Sequence, residues 1–150
     1  MEEIFLKMFS PSEIRVIEMA GGDRLGDKVW QVAKALDHYL LATSCEIRQW
    51  EEALGRNDRT EEIFQDPTEG GGGITSQEQE KIRLLLNRAE NFSAKLLAAK
   101  VRFLENPLKY GFCQKCGGEI PLERLKEVPH APHCVVCKND KKNNHNHGGK

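Results

Sequence analysis

Aromatic side chains are scarce: two Trp, two Tyr and six Phe among 150 residues. With so few, a thick globular core is not expected, and the 30% share of charged residues suits long exposed helices better. No apolar run is long enough to span a bilayer. The start of the chain does not resemble a secretory leader, because it is acidic and its apolar run is broken by Lys7. A net charge of −1 gives no general signal for a polyanion partner. No nucleophile, base and orienting group converge in a recognisable motif, so an enzyme is not expected. Cysteines number only five, and nothing in the sequence points to an oxidising compartment, which places the chain in the cytoplasm.

Four of those cysteines fall in one short stretch, as Cys113-x2-Cys116, seventeen residues, then Cys134-x2-Cys137. Each pair lets two thiolates reach one ion from a tight turn, and the interval lets the chain loop back. Gly117 and Gly118 follow the first pair, where the backbone must turn sharply. Pro129 and Pro132 stiffen the approach to the second. The competing reading is a pair of disulfides, which needs an oxidising environment. Four cysteines close the coordination sphere of zinc and leave no position for water or substrate. The expected cofactor is therefore one structural Zn2+, whose removal unfolds the segment. His133, beside Cys134, is expected to be a bystander.

The rest of the chain reads as helices. Ser10-Pro11-Ser12-Glu13 is a helix start, with Ser10 as cap, Pro11 at the first helical position and Glu13 reaching back. Gly21-Gly22 stops that helix, and Ile14, Ile17 and Met19 are its expected inward face. Asp27 caps the next one. Its apolar positions, Val29, Ala33, Leu36, Leu40, Thr43, Ile47, Trp50 and Leu54, alternate intervals of four and three, which is a heptad seam. Gly55, Asn57 and Asp58 mark its expected end. A second seam, Ile82, Leu85, Ala89, Phe92, Leu96, Ala99 and Phe103, follows a capping box at Thr75 or Ser76 and stops at Asn106-Pro107. Two such seams joined by a loop predict an antiparallel coiled-coil hairpin, each limb spanning roughly 40–45 Å. The competing arrangement is a compact bundle with the N-terminal helix.

The predicted fold class is thus mainly α. A short N-terminal helix (1–26) packs at the base of a coiled-coil hairpin (27–106). A four-cysteine zinc finger (107–140) and a disordered tail (141–150) follow, the tail being polar and poor in helix formers. The tip loop, 55–75, contains four consecutive glycines, and residues 55–74 carry five acids against two bases. Residues 107–150 carry eight bases against four acids. Arg83, Arg88, Lys95, Lys100 and Arg102 read as a solvated face. Cys45 lies off the seam and reads as an inert thiol.

Around the cysteines, Tyr110-Gly111-x-Cys113-x-x-Cys116-Gly117-x-x-Ile120, then Arg124-Leu125, Pro129, Ala131 and Cys134-x-x-Cys137 resemble the C4 zinc finger of the DksA/TraR family. The resemblance implies a bacterial protein that binds RNA polymerase, with a coiled-coil hairpin preceding the finger. The hairpin's acidic tip would enter the secondary channel near the catalytic magnesium. The family's best-known tip pattern is Asp-Pro-x-Asp-x-Ala. Here Asp66-Pro67-Thr68-Glu69 is similar, Glu69 standing for the second Asp, while the Ala is missing and the glycines that follow resemble an insertion. Asp66 and Glu69 are the implied residues close to the polymerase active site. Members that respond to the alarmone ppGpp carry a basic residue before the proline that Pro129 matches, and another after the last cysteine. Lys138 fits the second place; Val128 holds the first and cannot pair with a phosphate. The resemblance thus implies a monomeric transcription regulator with weak or no ppGpp dependence and no sequence-specific DNA contact. Two other functions fit the residues alone: a zinc-finger nucleic-acid-binding module, with Tyr110 and Phe112 as stacking candidates, and a coiled-coil adaptor.

Overall fold

The structure is a computed structural model and describes residues 6–21, 27–61 and 74–143. Among the described residues five helices occur in order: α1 (Pro11–Gly21), α2 (Lys28–Glu61), α3 (Ser76–Glu105), α4 (Leu122–Glu127) and α5 (Val135–Asn143). Among the described residues the only extended pairing is an antiparallel bridge between Phe112 and Glu119. No helix among them is long and apolar enough to cross a membrane.

Both capping boxes form. At α1, the Ser10 amide donates to Glu13 Oε2 at 2.7 Å, and the Glu13 amide donates to Ser10 Oγ at 3.3 Å. At α3, Thr75 N–H meets Glu78 Oε2 at 2.8 Å and Glu78 N–H meets Thr75 Oγ1 at 3.3 Å. Each box satisfies two amides that a helix start otherwise leaves open. Ile17 is fully buried and Ile14 partly so, but Met19 is 88% exposed. Met19 lies two residues past Ile17, about 200° around the helix, so it faces away from what Ile17 packs on.

The chain divides into two compact units. The first comprises Met1–Tyr39 and Lys95–Lys150. Its core holds Leu6, Phe9, Ile17, Val29, Val32, Ala33, Leu36, Leu96, Ala99 and Phe103, joined by Ile120 and Leu125 of the C-terminal segment. Phe103 meets the Phe9 ring edge-on at 6.5 Å and the Tyr110 ring at 5.4 Å. Polar contacts fix the N-terminal segment. The Met8 amide donates to buried Asp37 at 2.6 Å, and Lys100 Nζ donates to the Met8 carbonyl at 2.7 Å while pairing with Glu13 at 3.0 Å. Lys100 is thus no part of a solvated face.

The second unit, Leu40–Ala94, holds the later turns of α2 and the earlier turns of α3. Its buried positions, Leu40, Thr43 and Ala89, all lie on the predicted seam, and Ile47, Trp50, Leu54, Ile82, Leu85 and Phe92 of the seam are half-buried. Cys45 is exposed, as its place off the seam implies.

Two boundaries differ from the expectation. α2 continues through Gly55 and ends at Glu61. A helical glycine costs only about 1 kcal/mol relative to alanine, and no proline intervenes before Pro67, so Gly55 does not stop a helix already long. The chain also remains helical past Cys137, through Asn143, where a disordered tail from 141 was expected. The Cys134 carbonyl accepts from Lys138 N–H at 3.0 Å to start α5. Asp66 and Glu69 lie outside the described residues, as do 144–150.

Candidate metal centre

The finger is built on two tight backbone turns. At the first, the Gly117 amide donates to the Cys113 carbonyl at 2.9 Å and the Cys113 amide to the Gly118 carbonyl at 2.8 Å. Gly117 takes φ +70, a conformation that side chains disfavour. Gly111 takes φ +92 and is also crowded: a Cβ there would lie 2.9 Å from Leu125 Cδ1. The second turn leads into α5, where the Cys137 amide points at Cys134 Sγ from 3.5 Å. The halves are joined by Gln114 N–H to the Pro132 carbonyl at 2.9 Å and by the Tyr110 hydroxyl, which donates to the Pro129 carbonyl. α4 is flanked by Pro121 at its start and by Val128 at its end, before buried Pro129, and places Leu125 inside.

These turns bring the sulfurs of Cys113, Cys116, Cys134 and Cys137 within 4.8 Å of one another. All four are free thiols, so the disulfide reading fails. Backbone amides, first that of Cys116 and then that of Cys134, hold the Cys113 thiol down to about 5. Hydrogen bonding to Cys134, with burial and the other sulfurs, pushes Cys137 up to about 12. Four sulfurs this close cannot all carry negative charge without a cation among them. A thiophilic divalent ion fits both the donor set and the spacing, and the four cysteines could hold one zinc. His133 Nδ1 lies 4.0 Å from Cys113 Sγ, in contact with the sulfur and outside the four-sulfur set.

Beside the finger lies a cleft of about 570 Å³. Val128 and Lys138 both line it, together with Lys95, Arg102, Arg124 and His130. Burial lowers the His130 pKa first, and the ammonium of Lys95, the guanidinium of Arg102 and the ammonium of Lys138 add to the fall. Arg102 Nη2 donates to the His130 carbonyl at 3.4 Å, and its guanidinium lies 5.8 Å from the Tyr110 ring centroid. The expectation of a solvated face therefore fails for Arg102 too. A signal for this cleft was present in the sequence: Lys95, Ala98 and Arg102 recur at i, i+3 and i+7, off the seam.

Residues 109–143 match the family model described as the prokaryotic dksA/traR C4-type zinc finger. The chain carries a DksA/TraR zinc finger. The matched segment contains all four clustered cysteines and reaches through the end of α5. Among solved structures, the transcription factor DksA2 from Pseudomonas aeruginosa is similar in fold, with a TM-score of 0.56 at 22% identity. The superposition covers 91% of this chain and 99% of that one. The fold similarity thus extends well beyond the DksA/TraR finger. No curated protein matches the sequence.

Proposed function

We propose that this protein is a DksA/TraR-like transcription regulator that binds bacterial RNA polymerase at the secondary channel. The observation that carries the reading is the joint one: a DksA/TraR finger on a chain whose fold is similar to that of a transcription factor over nearly its whole length. Cys113, Cys116, Cys134 and Cys137 bind one structural zinc, which holds the finger rigid at the base. The hairpin carries the acidic tip inward, where Asp66 and Glu69 act electrostatically beside the catalytic magnesium, carboxylates being its natural neighbours. No side chain of this chain is assigned a catalytic role. The protein acts as a cytoplasmic monomer and needs no sequence-specific DNA contact.

Dependence on ppGpp is proposed to be weak. Val128 contributes no charge to the cleft that it shares with Lys138, although Lys95, Arg102 and Arg124 leave that cleft positive. The experiment that tests the tip is the variant Asp66→Asn/Glu69→Gln in a reconstituted transcription assay. It is expected to bind polymerase as the parent does while losing most of the effect on transcription. An unchanged effect would remove the tip from the mechanism.

The positive cleft also favours a second reading, a module that binds nucleic-acid phosphates. Its stacking candidates are engaged elsewhere, however. Tyr110 is held by Pro129 and Phe103, and Lys28 lies over the Phe112 ring at 5.5 Å. A steep loss of nucleic-acid binding with added salt would favour this reading over the first.

A further inference from the structure

Lys28 is the first residue of α2, and a lysine there works against the helix. The open N–H groups of a first turn carry partial positive charge, which favours an acid and disfavours a cation. α2 has no acidic residue in its first turn. Asp27 stands at the cap position, where its carbonyl accepts from Gln31 N–H at 3.1 Å, and the acid that meets the Lys28 ammonium comes from a position 91 residues away: Lys28 Nζ donates to Glu119 Oε1 at 2.6 Å. The same ammonium stands over the Phe112 ring, 5.5 Å from its centroid. The lysine stem runs across Gly111, where a Cβ would lie 3.3 Å from Lys28 Cε. Phe112 and Glu119 face each other in the β-bridge. Phe112 immediately precedes Cys113, and Glu119 follows the Gly117-Gly118 turn. Glu119, Phe112 and Gly111 therefore all belong to the knuckle whose shape the first two cysteines set.

We propose that Lys28 is a positioning residue that transmits the zinc state of the four-cysteine site to the first turn of α2. With zinc bound, the knuckle is fixed and Glu119 and Phe112 meet the ammonium, so the turn is protected. When the metal leaves, the knuckle loosens. Lys28 then stands in the first turn without its acid, and that turn frays. The inference rests on the zinc reading and is independent of the polymerase reading. The effect is modest, because the Glu119 side chain is 64% exposed. An exposed pair of this kind changes an equilibrium by at most about fivefold. Linkage requires the same factor in both directions, so loss of the pair also weakens zinc binding.

The test uses the full chain, purified with its metal and checked for zinc content. Amide exchange is followed in a peptide covering residues 27–33, before and after chelation, in the parent, in Lys28→Met and in Glu119→Gln. Lys28→Met keeps most of the stem and removes the charge. Chelation is expected to speed exchange in the parent by about two- to fivefold, and to change it far less in either variant. Zinc affinity, measured by competition with a chromophoric chelator, is expected to fall by the same factor in both variants. A peptide covering 96–103 serves as the control for wholesale unfolding. An equal response in parent and variants, or none in the parent, overturns the proposal. Protein that carries no zinc overturns the metal reading along with it, so the two failures are told apart by the metal analysis.

Discussion

Cys116 Sγ and Cys134 Sγ lie 3.8 Å apart, one from each Cys-x-x-Cys pair. A tetrahedral zinc with bonds of about 2.3 Å places its sulfurs about 3.8 Å from one another. One zinc per chain is therefore expected by elemental analysis, with most of it lost in Cys116→Ser or Cys134→Ser. Chelation should unfold the finger. Zinc binding should also weaken as pH falls, because the ligands must be thiolates. In the metal-free site Cys137 holds its proton up to about 12 and gives it up when metal binds. Metal affinity should then rise with pH through neutrality, and a pH-independent affinity would contradict four-thiolate ligation.

Glu13 provides a second pH test. Desolvation raises its pKa, but the Ser10 amide and then Lys100 together outweigh this and lower it below the ordinary value of 4.5. A depressed carboxylate stabilises the fold above its unfolded pKa and loses that contribution as pH falls through the folded value. Protection of α1 in amide exchange should therefore decline below about pH 4.5. Glu13→Gln should remove most of that dependence.

The core makes a prediction on stability. Phe103 is fully buried and joins the rings of Phe9 and Tyr110. Phe103→Ala should cost about 3–5 kcal/mol in denaturant unfolding. Leu97→Ala, on the exposed side of the same helix, should cost far less. Equal costs would mean that the seam is misassigned.

How far the sequence could be read follows from the range of each interaction. The seams were legible because intervals of three and four are local, and every seam position of α2 and α3 is buried or half-buried, Thr43 included. The four cysteines were legible because metal chemistry fixes their spacing. Met19 was misplaced because a short helix offers too few turns to define its face. The ends of α2 and α5 were missed because Gly55 and the polar residues after Cys137 oppose a helix only weakly. Lys28 with Glu119, Lys100 with Met8, and Arg102 with His130 are joined across 28 to 92 residues. Such pairs depend on how the helices are brought together, and no local pattern announces them. Trp30, Val32 and Asp37 are buried off the α2 seam for the same reason: at that end the helix packs on more than one neighbour.

The cleft tests the weak alarmone response. Val128→Arg would add the missing cation beside Lys138. In a transcription assay with polymerase, this variant is expected to gain at least severalfold in ppGpp response over the parent. A parent response already as strong as the variant's would contradict the proposed role of Val128.

The most direct measurement is co-purification of the intact, zinc-loaded protein with bacterial core RNA polymerase, alongside a variant lacking residues 62–73. Both should bind, because the base and finger supply the docking surface, and only the intact protein should alter transcription. If zinc and the helical hairpin are confirmed and neither protein binds core polymerase, the likeness to DksA is one of architecture alone.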